Sequence, residues 1–189
     1  MGWSDVRSVR VLTACLIGML IIPVTALGAH GLREARDFKA FRVYFAGKSV
    51  LGLKLHDIDI IGDERKAEIV AFYGKCEPRG GGGCSYPLEI GNTSICRTYP
   101  DIYFSPPKLH RINGAWGGWV RTARIFDVYT GRTAVSIFGV AENKARHVAR
   151  QIMDVRRDRR QADLPDVRQK LLDGKGRCQH GPGVAPPPQ

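Results

Sequence analysis

Beyond residue 40 the apolar positions recur mostly every second residue, the period of a strand with one buried face. Leu51, Leu53 and Leu55 alternate around Gly52, Lys54 and His56, and Ile58 and Ile60 continue the pattern around Asp57 and Asp59. Residues 41–45 alternate in part and stop at Gly47. Residues 67–73 form the best strand pattern in the chain and stop at Gly74. A short strand is predicted over 87–90, ended by Gly91-Asn92 as a turn pair. Residues 99–107 are punctuated by proline and read as loop or edge structure. A hairpin is predicted over 120–139, with Tyr129-Thr130-Gly131-Arg132 as its turn.

The period then changes. Ala141, Ala145, Val148, Ala149, Ile152 and Met153 fall on one face of a helix. Glu142 near its start and Arg150 near its end suit the helix dipole. The predicted class is α+β, a mostly antiparallel sheet covered by a C-terminal helix, after an N-terminal hydrophobic helix.

That N-terminal helix is predicted because residues 11–29 carry no charge. As a helix they would rise about 28 Å, close to the thickness of a bilayer core. A buried core helix normally has a polar stripe, and this stretch has none. Pro23 interrupts the apolar run, and Ala26 and Gly28 place small residues ahead of a cut before Ala29, so cleaved signal and retained anchor are both open. Leu12-Thr13-Ala14-Cys15 has lipobox residue types, but its apolar run follows the cysteine instead of preceding it. Arg7 and Arg10 precede the stretch, whereas Arg33, Arg36, Lys39 and Arg42 follow it, which on a simple count favours a cytoplasmic domain. Long domains translocate largely regardless of such charges, so export is the expectation.

The division that follows is 1–29 signal peptide or membrane anchor, 30–40 juxtamembrane linker or short helix, 41–155 extracytoplasmic α+β domain, and 156–189 a basic, Gly/Pro-rich, largely disordered tail. The periodic apolar positions end at Met153, so the domain is expected to keep its fold without residues 161–189.

Cysteine usage supports export. Cys76 and Cys84 bracket four consecutive glycines, a loop that is entropically costly to order. A bond between them would remove roughly 2.5 kcal/mol of unfolded-state entropy, and only in an oxidising compartment. Cys84 with Cys96 is the rival pairing, and Cys178 is left for whichever partner remains. Intervals of seven and eleven residues among Cys76, Cys84 and Cys96 do not suit a zinc knuckle, so neither metal nor cofactor is expected.

The net charge is +11 over 189 residues. No long basic run sits beside stacking aromatics, so nucleic acid is not an expected partner. The expected partners are the membrane, through residues 11–29, and an anionic envelope component or a partner protein.

The series Tyr73-Gly74-Lys75-Cys76, the glycine loop into Cys84, Pro87-Leu88-Glu89-Ile90 and Ile95-Cys96-Arg97 resembles small exported or membrane-anchored proteins of high-GC Gram-positive bacteria. Tyr44-Phe45-Ala46-Gly47, Tyr129-Thr130-Gly131 and residues 135–139 fit the same pattern. Tyr86-Pro87 stands where that pattern would carry two prolines. The resemblance covers residues 41–153. It implies export and a single domain, and no catalytic residue.

Candidate chemistry is sparse. Glycines 80–83 lack the Gly-Lys-Ser/Thr and helix of a phosphate loop. Asp57 and Asp59 share strand spacing without a third acidic ligand for calcium. His56, His110 and His147 have no serine or cysteine in a nucleophile-elbow context. Trp116 and Trp119, flanking Gly117-Gly118, read as a glycine-rich loop able to meet a sugar ring or a membrane interface. The leading expectation is a non-enzymatic envelope binding module. The alternative is an exported hydrolase-like enzyme with a dispersed site that includes His110 and Asp127.

Overall fold

The computed structural model describes residues 27–62, 67–78, 83–95, 108–157 and 164–166. The hydrophobic helix expected over 11–29 lies outside these residues up to position 26, as do Cys96, Cys178 and most of the tail. No helix among the described residues is long and apolar enough to cross a membrane.

The fold is mostly antiparallel sheet, with two helices among the described residues: α1 (Leu27–Asp37) and α2 (Glu142–Ala149). The main sheet comprises β2 (Ser49–Val50), β3 (Leu53–Ile61), β4 (Glu68–Tyr73), β7 (Leu88–Ser94), β8 (His110–Ile112), β9 (Ala115–Val120), β10 (Ile125–Thr130) and β11 (Thr133–Phe138). Its order is β2-β3-β4-β7-β11-β10-β9-β8. This order reads as two four-stranded meanders laid side by side, with β7 and β11 forming the antiparallel seam. Outside the main sheet, β5 (Glu77–Pro78) pairs β6 (Cys84–Ser85), and β1 (Tyr44–Phe45) pairs β12 (Met153–Asp154).

Register assigns the faces. Ile58, Ala71, Ile90, Ile137 and Phe126 lie in one row across β3, β4, β7, β11 and β10, and all five are buried. Tyr44 and Phe45 of β1 and the buried residues Ala145, Val148 and Ala149 of α2 belong to the same core. Helix α1 packs against β3, and a Cβ at Gly31 would collide with the Ile58 carbonyl, so glycine is needed for the approach. Ala35 of α1 belongs to the same core. The segment expected as a juxtamembrane linker is therefore part of the folded domain.

Strand β1 has few ladder bonds, and two side chains of the sheet hold it. The Asn92 Oδ1 accepts the Tyr44 N–H at 2.7 Å, while its Nδ2 donates to the carbonyls of Tyr44 (2.9 Å) and Ile69 (3.2 Å). Tyr73 Oη accepts the Ala46 N–H at 2.8 Å and donates to the Gly47 carbonyl at 3.1 Å. Burial holds both the Tyr73 and the Tyr44 phenols above their usual pKa.

Gly91-Asn92, expected as a turn, sits in the middle of β7. A side chain at Gly91 would crowd the Glu68 carboxyl and the Phe138 ring, and the Asn92 amide is consumed inside the core. The strand expected over 120–128 is divided by a turn at 121–124, where Arg124 takes φ of 56°.

The limit expected at residue 155 is also passed. Leu164 is buried in the main core. Its N–H donates to the Asn113 carbonyl at 2.7 Å, and the Pro165 carbonyl accepts from Thr130 Oγ1 (2.8 Å) and the Gly131 N–H (3.0 Å). Three backbone-directed bonds and one leucine make this segment a core element, which sparse apolar spacing does not announce.

Two substitutions test these assignments. Asn92→Leu leaves the Tyr44 N–H and carbonyl unpaired in the core, and should cost about 3 kcal/mol in urea unfolding. A loss under about 1 kcal/mol would show that β1 does not rely on the amide. Leu164→Ala should cost about 2–4 kcal/mol and lower the thermal midpoint by roughly 5–12 °C. An unchanged midpoint would return residues 164–166 to the tail.

Candidate functional site

The face of the sheet opposite the core carries the most side-chain chemistry. Its middle row runs Val70, Gly91, Ser136, Asp127 and Gly118 across β4, β7, β11, β10 and β9. The row on one side holds Phe72, Glu89, Phe138, Ile125 and Val120. The row on the other holds Glu68, Thr93, Ala134, Tyr129 and Trp116. Small residues in the middle row thus lie between bulkier flanks.

Asp127 is fully buried in that middle row. Ser136 Oγ donates to its Oδ1 at 2.7 Å, and Tyr129 Oη donates to its Oδ2 at 3.2 Å. Two donors from neighbouring positions of the same face compensate the desolvation of the carboxyl.

Trp116 and Trp119 lie on strand β9, not on a loop. A separation of three residues along a strand puts them on opposite faces. Trp116 pairs with Tyr129 and packs with Ile95, Ala134 and Leu109 in a second apolar cluster. The Arg111 guanidinium stacks on its ring, 4.1 Å from the centroid. Trp119 pairs with Phe126 and packs against the main core. The two rings therefore do not form one patch. The signal that fixes this geometry is Asn113-Gly114, with φ of 46° and 84°, the left-handed pair that closes the β8–β9 hairpin.

The histidines are dispersed. His110 pairs with Gly117 and lies on the core face, edge-on to Phe126 at 6.0 Å, and its Nε2 meets the Arg146 guanidinium. Asp127 pairs with Gly118 and lies on the opposite face. The sheet thus separates the two residues of the dispersed hydrolase alternative. His56 stacks on Tyr86 at 5.1 Å, and His147 on α2 contacts Gln151. Asp57 Oδ1 accepts the Ile58 N–H at 2.8 Å, whereas Asp59 is exposed.

Cys76 and Cys84 are joined as a disulfide, with Cα atoms 5.5 Å apart. The bond closes the β5–β6 hairpin, whose ladder pairs Glu77 with Ser85 and Pro78 with Cys84. Tyr86, just beyond, stacks on Phe72 of β4 at 4.6 Å and ties the hairpin to the face of the sheet opposite the core. Cys96, of the rival pairing, lies outside the described residues.

No family model matches the chain, and the searches of curated proteins and of solved structures likewise return no match. The functional reading therefore rests on the residues and their placement.

The buried carboxyl gives a direct test of whether this face is held by polar pairing. Asp127→Ala should cost about 3 kcal/mol, because the buried Tyr129 and half-buried Ser136 hydroxyls lose their acceptor. Ser136→Ala should cost about 1 kcal/mol. Equal, small losses in urea unfolding would mean that water reaches the site and replaces the carboxyl.

Proposed function

We propose that the chain is an exported or membrane-anchored envelope protein whose α+β domain acts outside the cytoplasm as a non-enzymatic binding module. In this reading the uncharged stretch 11–29 engages the membrane as a helix that runs into α1, and α2 covers the core face of the sheet. The observation that carries the reading is the Cys76–Cys84 bond across a glycine loop. Such a bond persists in oxidising compartments and is kept reduced in most cytosols.

The Arg111–Trp116 stack supports a binding role at the edge of this face, since stacked cation and ring present a flat, amphipathic surface there. An anionic envelope component or a partner protein suits the basic balance of the chain. His110 and Asp127, two residues that the hydrolase alternative could use, lie on opposite faces of the sheet.

A reporter fused after Gln189 tests the location. A periplasm- or exterior-dependent reporter is expected to be active, and thiol trapping in the same cells should find Cys76 and Cys84 resistant to alkylation. Activity confined to a cytoplasm-dependent reporter, with both thiols modified, would overturn the proposal.

A further inference from the structure

The basic residues nearest the uncharged stretch do not stand alone in the fold. Arg33 and Arg36 lie one helical turn apart on α1 and are exposed, and Lys39 and Arg42 follow on the connection to β1, also exposed. The structure brings Arg156 and Arg157 to the same place from the far end of the domain. Arg156 Nε donates to the Arg36 carbonyl at 3.0 Å, and its Nη2 donates to the Phe38 carbonyl. In the other direction Arg36 Nε donates to the Val155 carbonyl at 3.1 Å. Arg42 approaches Asp154 at 3.9 Å, and the Asp154 carboxyl accepts the Arg156 N–H at 3.0 Å. Six cations thus gather around the end of α1, with Glu34 and Asp37 as the exposed acids beside them and Asp154 buried beneath.

We infer that this collar docks on the anionic phospholipid headgroups of the membrane that residues 11–29 engage. The inference rests on the anchor reading proposed above and names its partner. Helix α1 begins at Leu27, inside the uncharged stretch, and the tight approach of Gly31 to Ile58 locks it to the sheet. Among the described residues, Leu27 to Asp37 form one helix without a break before its contact with the sheet. At 1.5 Å of rise per residue, Arg33 stands about 6 Å and Arg36 about 10 Å along the helix from Ala29. Arg33 lies inside the Debye length of about 8 Å at physiological salt and Arg36 just beyond it, so headgroup charge is only partly screened there. A membrane that holds the N-terminal end of α1 meets Arg33 first, and reaches the cations at the C-terminal end of the helix when α1 lies inclined to its surface.

The test uses the full chain in lipid nanodiscs, read by hydrogen–deuterium exchange. In phosphatidylcholine mixed with phosphatidylglycerol, amides at 33–42 and 153–157 should exchange about fivefold more slowly than in phosphatidylcholine alone, the factor that one cation contributes at an anionic surface. The difference should vanish when salt is raised to about 0.5 M. Strands β10 and β11 should exchange equally in both. Arg33→Gln, Lys39→Gln and Arg157→Gln together spare the side-chain bonds that tie Arg36 and Arg156, and should abolish the lipid effect without changing exchange in the sheet. Equal exchange in both lipids, with the chain incorporated in both, would overturn the collar and leave the anchor reading intact. Failure of the chain to float with neutral vesicles would overturn both. Slowing by soluble polyphosphate, with none from phosphatidylglycerol, would assign the collar to a polymer and overturn the lipid docking.

Discussion

The fold depends on one buried amide. Asn92 stands in the centre of the sheet and offers β1 what a neighbouring strand would offer, an acceptor for one N–H and a donor for the carbonyl of the same residue. A backbone segment crossing the core face would otherwise bury unpaired polar groups, at a cost of 1–3 kcal/mol each. Tyr73 repeats the device two residues further on, at Ala46 and Gly47. The apolar residues of that segment, Val43, Tyr44 and Phe45, can fill the core only because these two side chains satisfy the backbone that carries them. Thr133 completes the arrangement from the second meander, donating to the Arg42 carbonyl at 2.8 Å.

Much of the sheet was legible because alternation survives wherever one face alone is buried. Strand β3 follows the apolar period closely, β4 and β11 are legible as short apolar runs buried on both faces, and Cys76–Cys84 follows from the glycines between them. Legibility fails where a residue serves tertiary structure against its local preference. Gly91-Asn92 has the composition of a turn and sits mid-strand, since one residue clears space for Phe138 and the other bonds across the core. Gly117 and Gly118 disguise β9 as loop. A Cβ at Gly117 would press on the Asp127 carbonyl and the Phe126 ring. Leu164 lies beyond a run of charged residues and is followed by Pro165, so its spacing from Val167, Leu171 and Leu172 reads as a separate short segment and not as part of the core.

The candidate site was less legible than the fold, and the reason is parity. Which face a side chain occupies depends on register between strands, and register is a long-range property. Trp116 and Trp119 can be assigned to opposite faces only once β9 is known to be a strand. His110 and Asp127 lie on strands that do not touch each other, and only their shared neighbour β9 reveals that they face apart. The collar of arginines is similarly hidden, since Arg36 and Arg156 meet through backbone carbonyls and not through complementary charge.

The pairing of β1 with β12 joins the earliest described strand to the last one. During synthesis the first meander emerges complete while the covering of its core face still waits on residues near position 154. Until then Asn92 and Tyr73 have β1 to hold, but β1 has no ladder partner, and the seam strand β11 is also late. The nascent chain thus stays open through most of its length and closes only when its final core segments arrive. A chain built in this way leaves apolar surface on its core face uncovered until the last described strand has been made.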